Sequence, residues 1–256
     1  TALADGETVY LDATDPRSDV NVLPTQLLVD RARLYSAGSS DEGWIDLSSP
    51  AQSVVLTQIS ARLTDEGGLE CEETDIETNQ SAYDLSCRYS RSQNHDTFVQ
   101  EYEEKAGITV SELTVEGLDT AKARMKTTFT KAVDSGGDFL YVCPTIVPFI
   151  EENPFTGSKR QLPVEFGYPH RYRIIVTLEL PEGCTVEELP ESKRLIACDG
   201  GVAATLQMQQ QGNVVRCLFD FNRSRVVFAA EEYTDLSAFY GFLSDLCNSR
   251  IILRRS

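Results

Sequence analysis

Basic residues are scarce in this chain: 23 Lys and Arg stand against 40 Asp and Glu, for a formal net charge of −17 over 256 residues. Gripping phosphates requires clustered cations, so this balance argues against a nucleic-acid footprint and against an anionic membrane surface. A solvated acidic exterior is its plainest reading. No apolar run reaches the roughly 20 residues that would cross a bilayer as a helix, and no basic start followed by an apolar segment marks a leader peptide. Histidine is limited to His95 and His170, and none of the seven cysteines stands in a Cys-x-x-Cys spacing. A zinc site and a cofactor requirement are therefore not expected.

What the chain does have is a 41% hydrophobic fraction with 10 Tyr and 11 Phe, the make-up of a folded protein with sizeable cores. At about 100 to 200 residues per domain the length suggests two units behind a short leading segment. Period-two alternation dominates. Val55, Ile59, Ala61 and Leu63 lie on one side of a predicted strand, and Asp65-Glu66-Gly67-Gly68 turns it into a returning strand, Leu69 to Thr78. Glu70, Glu72, Glu73, Asp75 and Glu77 make that strand so acidic that the expectation is a solvated face. Strands are also predicted at 108–115, 123–132 and 139–142. The segment 81–90 is ambiguous, with Ala82, Leu85 and Tyr89 at helical spacing. Asp96 is a predicted cap for a helix with the stripe Phe98, Val99, Tyr102 and Ala106, ended by Gly107.

The last 90 residues repeat the plan. Tyr172, Ile174, Val176, Leu178 and Leu180 alternate with polar neighbours, 202–209 and 214–222 read as a strand pair, and 185–189 reads as a short strand. Leu236, Phe239, Tyr240, Leu243 and Leu246 give an amphipathic helix before a last strand, Ile251 to Leu253. The expected fold is therefore α+β, predominantly antiparallel, with two sandwich-like units of one main helix each. The expected division is 1–50, 51–163 and 164–256, with polar connections at 36–43 and 48–50.

Several stretches carry a more specific signal. They are Asn153-Pro154-Phe155, Pro163-Val164-Glu165-Phe166-Gly167-Tyr168-Pro169, Leu180-Pro181-Glu182-Gly183, Val186-Glu187-Glu188-Leu189-Pro190 and Glu231-Glu232-Tyr233. In this order and spacing they resemble the uncharacterised domain that follows a transglutaminase-like core in secreted bacterial proteins. The segment from Leu11 to Leu47, with Leu11-Asp12-Ala13-Thr14-Asp15-Pro16, Leu23-Pro24 and Trp44-Ile45-Asp46-Leu47, is similar to the exit from such a core. The resemblance implies a papain-like Cys-His-Asp triad in an intact parent, in which Asp12 is the carboxylate that orients the histidine. The nucleophile and the histidine of that family precede this strand, and residues 1–11 contain neither. By that resemblance the region is a non-catalytic scaffold partnered by an upstream core, in a periplasmic or extracellular setting.

Other readings of the same residues stay open. Asp12 and Asp15 also suit a turn that bonds backbone amides, while Asp12, Asp15 and Asp19 lack the ligand alternation of a calcium loop. Tyr168, His170 and Tyr172 could form an aromatic platform for a peptide or glycan, or could be packing residues. Cys184 and Cys198 flank a hairpin and suit either a disulfide or two buried thiols. A self-standing cysteine hydrolase would need one thiol with a depressed pKa.

Overall fold

The structure is a computed structural model that describes residues 2–4, 7–35, 43–48 and 53–255. The connections expected at 36–43 and 48–50 lie largely outside the described residues. In chain order the strands and helices are β1 (Ala2–Ala4), β2 (Glu7–Val9), β3 (Ala32–Arg33), β4 (Trp44–Ile45), β5 (Ser53–Leu63), β6 (Gly68–Thr78), α1 (Gln80–Arg91), α2 (His95–Ala106), β7 (Thr109–Glu116) and β8 (Lys122–Ala132). There follow β9 (Asp134–Gly136), β10 (Phe139–Val142), β11 (Val164–Glu165), β12 (His170–Glu179), β13 (Cys184–Glu188), β14 (Lys193–Ala197), β15 (Val202–Gln211), β16 (Val214–Arg223), β17 (Val227–Phe228), α3 (Tyr233–Cys247) and β18 (Ile251–Arg255).

Alternation decides which side of each strand is covered. In β5 the odd positions from Ser53 to Leu63 are all buried, and in β8 Ala123, Met125, Thr127 and Phe129 are buried between exposed Lys122, Arg124, Lys126 and Thr128. These strands join an eight-stranded sheet in the order β14-β15-β16-β12-β5-β6-β8-β7. Its neighbours are antiparallel except for β5 and β12, which run parallel with His170 opposite Ser53 and Glu179 opposite Arg62. A second, four-stranded sheet has the order β13-β18-β10-β9. The architecture is α+β and mostly antiparallel.

The stretches 51–163 and 164–256 each contribute four strands to the large sheet, and the β5–β12 ladder joins them. The small sheet likewise takes β9 and β10 from one stretch and β13 and β18 from the other. The boundary near Val164 therefore falls within shared hydrogen-bonded sheets.

One large core unites both sheets with α3. It includes Phe129, Leu178, Leu206, Phe219 and Phe221 from the large sheet, Leu140 and Leu253 from the small one, and Leu236, Phe239 and Leu243 from α3. A smaller core lies under α1 and α2, where Ala82, Leu85 and Phe98 meet Leu113, Ala123 and Met125. The ambiguous segment 81–90 is thus helical, and the first half carries two helices where one is expected. It lies within the 12-residue α1, whose Ala82 and Leu85 sit at the three-residue spacing that buries one face. In α2 the cap is Asn94, whose Oδ1 accepts from Thr97 N at 2.9 Å, and not Asp96. Asp96 instead lies in the first turn, where its negative charge is favoured by the positive end of the helix dipole. Gly107 ends α2 with φ +61°, the left-handed cap that favours glycine. β14, at one edge of the large sheet, has no counterpart among the expected strands.

Candidate functional site

The leading segment is fastened along α1. Asp15 accepts from Arg17 Nε at 2.8 Å, Arg17 Nη2 at 2.8 Å and Tyr83 OH at 2.8 Å. Those bonds, with Arg17 first, hold its carboxyl well below the usual carboxylate range. The Leu23 carbonyl accepts from Gln80 Nε2 at 2.6 Å, and Thr25 Oγ1 donates to Asp84 at 2.9 Å. Val22 packs with Tyr83 and Cys87, while Leu23 and Leu28 pack with Tyr10, Leu47 and Tyr168. Asp12 is turned into its own bend, accepting from Thr14 N at 3.1 Å and Thr14 Oγ1 at 2.8 Å. Asp19 accepts from Val20 N and Ala121 N, so the carboxylates at 12, 15 and 19 serve three different sets of donors.

Tyr168, His170 and Tyr172 are brought into one row, with ring centroids 5.7 Å apart at each step. The row faces protein. Tyr168 OH donates to Asp84 at 2.6 Å, and His170 Nε2 lies 3.4 Å from Ser81 Oγ, which also bonds Ser53 Oγ at 2.6 Å. Tyr172 packs on Phe149 at 4.9 Å between centroids. Burial, with Arg223 adding to it, lowers the His170 pKa to about 4, so the imidazole is neutral at pH 7. Trp44 stands apart on β4, exposed, with the guanidinium groups of Arg31 and Arg33 over its ring at 4.6 and 5.4 Å.

The acidic strand departs from expectation most. Glu70 and Glu72 are exposed, but Glu73, Asp75 and Glu77 are at most 7% exposed and point into the protein. They continue the face of Leu69 and Cys71, so the side-chain parity of β6 sends three of its five carboxylates inward. Across the sheet Glu73 is opposite Ile59 and Thr127, Asp75 is opposite Thr57 and Met125, and Glu77 is opposite Val55 and Ala123. Thr57 Oγ1 donates to Asp75, Tyr102 OH from α2 donates to Glu73 Oε1 at 3.1 Å, and Arg88 from α1 reaches Glu77 at 3.4 Å. Among the described residues Glu73 Oε2 and Thr127 Oγ1 have no such partner. Burial pushes Glu73 up to about 9, with the neighbouring Asp75 adding to the effect, raises Asp75, and pushes Glu77 up to about 7 against the opposing pull of Arg88. The signal was in the sequence. Leu69 and Cys71 set the inward register that the odd-numbered carboxylates share.

All seven cysteines are free thiols. Cys184 lies in β13 of the small sheet and Cys198 follows β14 of the large one; no bridge joins them, and both are free thiols that are half-buried rather than buried. Burial pushes Cys71, Cys217 and Cys247 up to about 12, the opposite of an activated nucleophile. The open face of the large sheet holds a shallow groove of about 550 Å³ with Ser60, Arg62, Glu72, Thr128, Thr130 and Thr177 on its walls. Among the described residues no group of three or more His, Cys, Asp or Glu side chains is arranged to hold a metal.

Of the comparisons with known proteins, the family match bears on the second half. Residues 138–253 match a family described as DUF3858, a domain of unknown function with a solved structure. No curated protein matches the chain. A solved structure from Parabacteroides distasonis, described as a candidate protease, aligns with 45% of this chain and 23% of its own at 16% identity, with a TM-score of 0.36. The chain thus spans under a quarter of that protein, while its C-terminal stretch, from just before β10 into β18, is similar to the domain of unknown function.

Proposed function

We propose that this chain is a non-catalytic C-terminal region that stands behind a transglutaminase-like core in a cell-envelope or secreted bacterial protein and acts as its scaffold. The observation that carries this reading is the fastening of residues 15–25 to α1 through Asp15–Tyr83, Leu23–Gln80 and Thr25–Asp84. A segment tied down at three points transmits the position of whatever precedes it to the sheet, which is what a scaffold requires. The family match over 138–253 spans the stretches from Asn153 to Tyr233 that carry the C-terminal part of the resemblance. In this reading Asp12 is the triad carboxylate of the parent and is released from Thr14 when a histidine is present.

The parental reading frame tests the proposal. A cysteine opening a helix and a histidine on a following strand, both encoded upstream of Thr1, are expected; a leader peptide ending directly before Thr1 overturns it. A second reading, a peptide- or glycan-binding module, is favoured by the groove on the open sheet face rather than by the aromatic row, because that row packs inward. Shifts of Ser60, Thr128 and Thr177 resonances on titration with oligosaccharides or extended peptides would support it, and unchanged spectra at millimolar ligand would remove it.

A further inference from the structure

The acidic row on β6 has more carboxylates than the donors around it can serve. Glu73 Oε1 has Tyr102 and Glu77 has Arg88, but among the described residues Glu73 Oε2 finds no donor, while its carboxyl contacts that of Asp75, the next inward side chain of the strand. Two carboxylates are compatible with such contact only when a proton lies between them. The groups facing the row are Arg88 and Asp84 from α1, Tyr102 from α2, Thr57 from β5, Thr127 from β8, Tyr172 from β12 and Cys71 of β6 itself. Arg88 is the only cation among these, and its side chain is 47% exposed.

The cover over the row is the lightly held part of the fold. Phe98 is the single fully buried residue of α2, whereas α3 buries Tyr233, Leu236, Phe239, Tyr240, Leu243 and Leu246 among others. Regions with few buried apolar contacts open at the lowest free energy. A second negative charge on the row can be hydrated only by admitting water, and lifting α2 with Tyr102 is the least costly way to admit it.

We propose that Glu73 and Asp75 form a proton-sharing latch that holds α2 on the sheet, and that loss of the shared proton loosens α2 while α3 and the small sheet stay closed. The direction follows from linkage. Glu73 takes up its proton near 4.5 when unfolded but near 9 when folded, so its contribution is fully present below the lower value and is lost as pH rises towards the upper one. Glu77 acts in the same direction, with its loss completed near 7.

Amide hydrogen exchange of the whole chain at pH 6.5 and 8.5, corrected for intrinsic base catalysis, tests the latch. Protection of residues 95–106 is expected to fall by about tenfold or more relative to residues 233–247, since one proton released gives at most about tenfold per pH unit. Glu73→Gln, which keeps the shape of the protonated acid, should remove most of the fall and leave only the small part that Glu77 contributes near 7, and Glu72→Gln on the exposed side should leave it intact. Equal pH dependence of the two helices in the unaltered protein overturns the latch. So does a Glu73→Gln protein that keeps the fall. If Glu73→Gln does not fold, the comparison between helices in the unaltered protein still decides.

Discussion

Under α3 the covered face of the large sheet offers Phe219, Phe221, Leu206 and Val202, and these join Leu236, Phe239 and Leu243 in a core that extends into the small sheet. Under α1 and α2 the same face of the same sheet offers Glu73, Asp75, Glu77, Thr57 and Thr127 beside a modest cluster around Leu85, Phe98 and Met125. Both regions exclude water, but one does so by apolar packing and the other by enclosing groups that must hold protons or find donors. The first is insensitive to pH by construction; the second is not. Burial alone therefore does not make two parts of a fold equivalent.

The sharpest way to break this comparison is to hollow out the apolar side. Leu236→Ala removes a fully buried side chain and should cost about 3 kcal/mol in urea unfolding, nearly the same at pH 6 and pH 8. Next in size is Glu73→Gln, which should raise stability by about 2 kcal/mol at pH 8 and change it little at pH 4, where the native group is protonated when folded and mostly so when unfolded. An equal effect at both pH values would mean that the row is merely polar packing.

His170 titrates in the other direction. Its folded pKa is lowered from 6.5 to about 4, so its contribution is complete above 6.5 and is lost as pH falls through 4. About 1.5 kcal/mol should disappear between pH 6.5 and pH 5, and His170→Gln should flatten that acid limb in thermal unfolding at stepped pH. With Glu73 acting on the alkaline side, the two groups offset each other between 4.5 and 6.5, and stability is expected to fall away above and below that window. Tyr83→Phe, which removes the hydroxyl bonded to Asp15, should cost about 1 kcal/mol and speed proteolysis within residues 15–28. The smallest effect belongs to the open face. Arg62→Ala breaks an exposed pair with Glu70 and should stay within about 0.5 kcal/mol by urea midpoint.

The sequence showed how strands alternate more clearly than where they go. Val55, Ile59, Ala61 and Leu63 were legible as one face because alternation is local, and the pair 202–209 with 214–222 was legible because one short turn joins it. The parallel β5–β12 ladder was not legible, since those strands lie over a hundred residues apart and no turn records their pairing. Segment 81–90 was ambiguous because its apolar residues suit a helix only once a sheet exists to receive Ala82 and Leu85. At the candidate site, the spacing of Tyr168, His170 and Tyr172 puts them in one row, but whether their rings meet solvent or Asp84 and Phe149 depends on partners elsewhere in the chain.

The sequence by itself determined the class of fold and the faces of its strands, because hydrophobic alternation is a property of neighbouring residues. It also held the parity that sends Glu73, Asp75 and Glu77 to the side of Leu69 and Cys71. Only the tertiary structure decided that this side is roofed by α1 and α2 rather than open to water. A carboxylate's cost is set by what surrounds it in space, and the groups that surround this row come from β5, β8, β12 and both helices.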